Sequence, residues 1–364
     1  MKLVRVFSLV KHVAVAAAVE RALCRGDKVI AMCRREEASR ALRGMDDIIY
    51  ISSRDKGFFD HFQKECEDCD YIILQSIAED FTFALKMLQH PKLLKKCVWL
   101  IAGGDLYDYE YPVKGGLRER IGILARNAIA TRYRKRIPYA VCSAIDAETY
   151  KKTIGNTILV SKECNLPGFE FPTLDENKPD KTATCPLRIL VGHSCVPNLR
   201  HREVLQQLKK LDLPHGTRIL LPMSYGKTGY GDEVEREAKK LFGENAEVLR
   251  EHLQFPDYVK LLWTVDCAVF HTERQIALGN LLMLFYMKKK VFLPRDSVMS
   301  KFFRARGVPV FDSDNLTAEQ LLDGSTDLEP EKTYALRVND KEAWEKEQDK
   351  MFEEMEKRLE GEAK

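Results

Sequence analysis

The sequence predicts an α/β protein of two Rossmann-like, doubly wound parallel-sheet domains facing across a cleft, and three features predict it. Short apolar runs recur with helix-like segments between them. The runs are continuous rather than alternating, as expected of strands covered by helices on both faces. The rhythm also stops at a Pro- and Asp-rich stretch and then restarts, and 364 residues are enough for about two domains.

Taken in order, the strand-like runs of the first half are "KLVRVFSLV", "DKVIAMC", "DDIIYIS", "CDYIILQS", "CVWLIAGGD", "YAVCS" and "NTILVS", giving an N-terminal domain over 1–165. The stretch "NLPGFEFPTLDENKPDKTATCP" has no periodicity and is read as a linker over 166–186. The pattern resumes with "LRILVGHS", "TRILLPMS", "AEVLRE", "DCAVFHT", "KKVFLP" and "VPVFDS", giving a second domain over 187–335. Residues 336–364 carry Trp344, Met351, Met355 and Leu359 at helical spacing and are expected to form a helix resting on one domain.

With 45% hydrophobic and 31% charged residues, disordered and fibrous classes are excluded. No window holds the roughly 18 to 20 apolar residues that a membrane span needs, and Arg5, Lys11 and His12 interrupt the start, which reads as a strand and helix rather than a signal peptide. Ten scattered cysteines fit reduced thiols in the cytoplasm. The CxxC at Cys66 and Cys69 has no second CxxC or His pair to complete a zinc site. A net charge of +3 does not imply a nucleic-acid partner, and none is expected. Its distribution is more informative: Arg118, Arg120, Arg126, Arg132, Arg134, Lys135 and Arg136 are interleaved with Leu117, Ile121 and Leu124. Such a basic amphipathic helix, 117–136, suits an anionic membrane surface, with Arg126, Arg132, Arg134, Lys135 and Arg136 as its contacts; its other reading is a solvated helix face.

In open α/β sheets, ligands bind outside the carboxyl ends of the strands. The first strand is followed by no glycine, which argues against a dinucleotide there. After "ILV", Gly192 permits a tight turn, Ser194 and Asn198 add hydrogen-bonding groups, and a helix is expected to begin near Asn198, so phosphate could bind. The loop "PMSYGKTGYGD" contains Ser224, Tyr225, Gly226 and Gly229; it is no P-loop, because Leu221 stands where the first glycine belongs, but it suits close approach to a sugar or phosphate. After "DCAVF", Arg274 could pair with a diphosphate, while Gln275, Gly279 and Asn280 would face the ligand. In the first half, Asp105 follows Gly103 and Gly104 at a strand end, where a carboxylate could accept a proton from an attacking hydroxyl; an N-cap or a loop hydrogen bond is the alternative.

The succession "IAGGDLY", "ILVGHSCVPNLRH", "LPMSYGKTGYGDEV", "LQFPDYVKLLWTVDCAVF" and "ERQIALGNLLML" resembles glycosyltransferase family 56, the TDP-N-acetylfucosamine:lipid II N-acetylfucosaminyltransferases or 4-alpha-L-fucosyltransferases, best over about 185–315. The resemblance implies a GT-B enzyme that moves 4-acetamido-4,6-dideoxygalactose from a TDP-sugar to a polyprenyl-diphosphate-linked saccharide in cell-surface polysaccharide synthesis. It would act peripherally on the inner face of the cell membrane. It further implies that Gly192, Ser194, Tyr225, Arg274, Gln275 and Gly279 line the donor site, with Asp105 across the cleft. No metal or other cofactor is expected: Asp105 and Asp108 have the wrong spacing for a DxD pair, and Arg274 with helix N-termini would neutralise the diphosphate. Two rival readings are a nucleotide-sugar epimerase of GT-B fold and a non-catalytic nucleotide-sugar binding protein.

Overall fold

In the computed structural model every run predicted as a strand contains one. The structure describes residues 1–8, 13–76, 80–101, 103–107, 116–155, 157–162, 172–179, 187–323, 326–327 and 341–362. Asp108 and most of the linker 166–186 lie outside them. The chain divides into two units, residues 1–163 with 348–364, and residues 164–347.

The first unit holds β1 (Leu3–Phe7), β2 (Lys28–Ala31), β3 (Ile48–Tyr50), β4 (Tyr71–Gln75), β5 (Cys97–Leu100), β6 (Tyr139–Ser143) and β7 (Thr157–Lys162) in one parallel sheet of order β3-β2-β1-β4-β5-β6-β7. Its helices are α1 (Val13–Cys24), α2 (Arg40–Arg43), α3 (Phe58–Glu65), α4 (Phe81–Gln89), α5 (Pro91–Leu94), α6 (Leu117–Arg134) and α7 (Ala144–Thr153). Alternate residues of each strand enter different cores. Val4, Ile72, Leu74 and Trp99 pack with Phe62, Phe83, Tyr133 and Tyr150 from the helices on one face. Phe7, Val29 and Ala31 pack with α1 and α2 on the other.

Those two helices cover only the β1–β3 end of their face, which would leave Ile73, Val98, Val141 and Leu159 bare. The last helix, α15 (Lys341–Glu362), returns to cover them with Met351, Met355 and Leu359, all buried. Arg5, buried in β1, pairs with Asp27 and lies 4.0 Å from the centre of the Phe352 ring. Arg25 reaches Glu356 at 2.9 Å. The side chain of Trp344 is outside the described residues.

The second unit holds β8 (Arg188–Val191), β9 (Arg218–Pro222), β10 (Ala246–Leu249), β11 (Cys267–Val269), β12 (Lys290–Leu293) and β13 (Phe311–Asp312), ordered β10-β9-β8-β11-β12-β13 and again parallel. Around it lie α8 (Pro172–Asp175), α9 (His201–Lys210), α10 (Thr228–Phe242), α11 (Phe255–Trp263), α12 (Leu278–Tyr286), α13 (Val298–Arg304) and α14 (Ala318–Leu322). The linker reading needs a correction at α8: Leu174 is fully buried, its carbonyl accepts from Trp263 Nε1 at 2.8 Å, and this turn is docked on the second unit.

Met355→Ala should destabilise the protein by about 2–5 kcal/mol in urea unfolding, the range for truncating a fully buried methionine. A cost under about 0.5 kcal/mol, ordinary for a surface position, would mean that the terminal helix is not held by this contact.

Candidate functional site

Strand order marks a candidate site in the second unit. From β8 the chain winds outward through β9 and β10, then returns to β11 on the other side of β8 and winds the opposite way. The crevice between the β8 and β11 loops is therefore a topological switch point. The ladder continues into it, since the Gly192 N–H donates to the Val269 carbonyl at 2.9 Å. A helix follows each strand, α9 after β8 and α12 after β11. Their N-caps, Arg200 (φ 45°) and Ala277 (φ 59°), are both left-handed, and neither side chain caps its helix. Among the described residues the amides of Leu278, Gly279 and Asn280 have no acceptor. Open donors at helix N-termini favour an anion.

The β8 loop is held tightly. Gly192 has φ 66°, and a β-carbon there would stand 2.3 Å from His201 Nε2. The His201 ring is buried and its Nδ1 meets the Tyr230 hydroxyl at 3.2 Å. Burial, with a smaller effect of His193, pushes its pKa down to about 3. His193 is also buried, which lowers its pKa to about 4, so both rings are neutral at physiological pH. Ser194 Oγ lies 3.4 Å from His193 Nε2. Donation from that hydroxyl would put the imidazole proton on Nδ1. His193 Nδ1, Asn198 Oδ1 and His201 Nε2 are buried without a partner. Of the three residues, His193 is the one that lines the pocket described below, where a polar group could pair with it.

The β9 loop is tied to this segment by backbone bonds: Cys195 N–H donates to the Tyr225 carbonyl at 2.7 Å, and Lys227 N–H donates to the Cys195 carbonyl at 2.9 Å. Gly226 is required at their contact, because with φ 113° an added β-carbon would come 2.8 Å from the Cys195 carbonyl carbon. Beside it opens a pocket lined by His193, Pro222, Ser224, Tyr225, Leu249, Glu251, His252, Leu253, Phe255, Tyr258 and Asn280. Two of its lining residues, Tyr225 and Phe255, are exposed to 54% and 40%, high for aromatic side chains. Burial raises the Tyr258 pKa, so the hydroxyl stays protonated and donates to Asn280 Oδ1 at 2.7 Å. The Asn280 amide nitrogen then remains as a donor.

Of the residues expected to bind donor, Tyr225 and Asn280 line this pocket. Arg274, Gln275 and Gly279 are half-buried around the start of α12. Ser194 is a correction: it has no exposed surface and can act only through His193 and Tyr225. Gly192 is likewise buried and shapes the turn. Asn198 lies on a 3₁₀ turn, Pro197–Leu199, so α9 starts at His201 rather than near Asn198. His271 is buried with Nδ1 2.9 Å from Ser313 Oγ, a staple between strand ends, and Glu273 faces Arg200 at 3.9 Å. Sequence reasoning missed His193 and the wall formed by Glu251, His252, Phe255 and Tyr258. The wall residues follow β10, a strand end with no glycine to draw attention, although the rule that pointed to the other loops applies there too.

In the first unit Asp105 departs from the expected accessible base. It has no exposed surface and accepts a hydrogen bond at 2.7 Å from Nε1 of Trp99, a residue of β5 and not of a neighbouring loop. The basic helix is α6, and its list of membrane contacts also needs correction. Arg134 is buried and donates to the Tyr107 carbonyl at 2.9 Å, while Arg126 leans over the Phe81 ring. Asn127, Ala130, Tyr133 and Arg134 form the buried side. The opposite side carries Leu117, Ile121 and Leu124, exposed to 77%, 56% and 55%, with exposed Arg118, Arg120, Arg132, Lys135 and Arg136 around them. Among the described residues no helix is long and apolar enough to cross a membrane.

Solved structures share this architecture. A glycosyltransferase from Rickettsia africae ESF-5 is 12% identical with TM-score 0.60, over 97% of this chain and 98% of its own. HepE from Anabaena, solved with UDP-glucose, is 12% identical with TM-score 0.59, over 99% and 100%. WaaG, a glycosyltransferase involved in lipopolysaccharide biosynthesis, is 11% identical with TM-score 0.52, over 88% and 89%. At such identities the likeness is one of fold, and the fold is GT-B. Residues 80–334 match the family described as 4-alpha-L-fucosyltransferase, glycosyl transferase group 56, and with more than half of the chain matched the protein belongs to that family and is a glycosyltransferase.

Proposed function

We propose that the second unit binds a TDP-sugar and that the enzyme transfers 4-acetamido-4,6-dideoxygalactose from it to a polyprenyl-diphosphate-linked saccharide. The observation that carries the donor site is the switch-point crevice, where α9 and α12 both start without side-chain caps and where His193, with its unpaired Nδ1, and Asn280 of α12 line one aromatic-rimmed pocket. The diphosphate lies against the α12 amides and Arg274, and the nucleoside occupies the pocket beside Tyr225, Phe255 and Asn280. HepE, solved with UDP-glucose, supports a nucleoside diphosphate in this fold. The family description, a fucosyltransferase, supports a 6-deoxyhexose. Fixed amides and a guanidinium stabilise the departing diphosphate without reorganising, so no resident metal is assigned to the site. Asp105, buried against Trp99, is assigned to holding its loop.

The acceptor's lipid anchor accounts for the exposed face of α6. Leu117, Ile121 and Leu124 enter the headgroup boundary while the basic residues around them meet anionic lipid, at about 1 kcal/mol for each well-placed charge. The enzyme then works peripherally at the inner face of the cell membrane.

Thermal shifts with TDP-, UDP- and GDP-sugars should be largest for TDP, since a ligand of the native state raises its stability. Arg274→Ala should weaken TDP binding by about tenfold or more at unchanged Tm; unchanged affinity would sink the diphosphate assignment. Asp105→Asn keeps an acceptor for Trp99, and transfer should survive within about tenfold, whereas loss of a general base typically costs about a hundredfold to ten-thousandfold. Phosphatidylglycerol vesicles should sediment the protein at low salt and release it as salt rises. Replacing Leu117, Ile121 and Leu124 together by Ser should weaken that association, and binding kept by the triple variant would remove α6 as the contact.

A further inference from the structure

Arg200 breaks a local rule. As N-cap of α9 it lies at φ 45°, ψ 42°, a left-handed conformation that glycine or asparagine adopts more readily, and its side chain caps nothing. Its guanidinium instead reaches across the switch point from the β8 segment to Glu273 on the β11 loop, 3.9 Å away. Both side chains are about half exposed, at 42% and 53%. A pair this long and this wet contributes little to stability. Both histidines of the β8 segment, His193 and His201, are buried and neutral, which leaves Arg200 as the cationic side chain of residues 192–201.

We infer that Arg200 is a second arginine of the donor site, closing on the diphosphate opposite Arg274 and exchanging Glu273 for phosphate oxygens; this rests on the donor-site reading above. A diphosphate offers a guanidinium two charged acceptors in matching geometry, a stronger partner than one distant carboxylate. The unpaired His193 Nδ1 lies on the same β8–α9 segment, on a residue that lines the pocket.

The test is calorimetric titration of the intact chain with TDP, TMP and thymidine, and in parallel with UDP, UMP and uridine, for the wild type, Arg200→Gly and Arg200→Lys. Glycine suits the left-handed backbone, so Tm should hold or rise, and a binding defect cannot be ascribed to unfolding. Arg200→Gly should weaken the diphosphates by about tenfold or more, the monophosphates less and the nucleosides not at all, with lysine restoring part of the loss. Unchanged diphosphate affinity in the glycine variant overturns the role of Arg200 alone. Equal loss for nucleoside and diphosphate, the mark of a merely structural residue, does the same. A wild type that binds no diphosphate overturns the donor-site reading and this inference with it.

Discussion

Because a crossover between parallel strands packs back on its sheet only as a right-handed turn, reversing the direction of strand addition moves the next helix to the opposite face. Both sheets reverse once, at β1/β4 and at β8/β11. In the second unit the reversal parts α9 from α12 and leaves their N-termini bordering one crevice. In the first unit it leaves half of one sheet face without a crossover helix, which α15 then covers. Site and terminal helix are thus two results of the same steric rule.

Rigidity at the crevice comes from backbone and neutral groups, while charge is left to a few side chains. Gly192 lies against the His201 ring, Gly226 lies against the Cys195 backbone, and Tyr230 and Tyr258 fix His201 and Asn280 through their hydroxyls. None of these contacts carries a formal charge, so none competes with an anionic ligand. Leaving-group stabilisation depends on such preorganisation, because donors already aimed at the developing charge need not reorient during the reaction.

The strands were legible in the sequence because burial on both faces demands unbroken apolar runs, and each run contains its strand. The pocket was legible only in part. Glycine marked the loops after β8 and β9, but the wall formed by Glu251, Phe255 and Tyr258 has no such signature. At the end of β8 neighbouring side chains diverge, so Ser194 turned inward and His193 met the pocket, a choice that composition does not specify. Arg134 could have been placed: Asn127, Ala130 and Arg134 recur every three or four residues on one side of α6, and counting its charges without their faces hid this. The left-handed Arg200 was not legible, since nothing local asks for that conformation at an arginine. The destination of α15 is a long-range matter that helical spacing alone leaves open.

Residues 348–364 complete the first unit, although the whole second unit is encoded before them. On the ribosome, where domains form as their segments emerge, the second unit can finish while β4–β7 of the first still expose Ile73, Val98, Val141 and Leu159. During synthesis the nascent chain must keep that apolar strip from aggregating until Met351, Met355 and Leu359 arrive to cover it. Late truncation would therefore damage the domain made first.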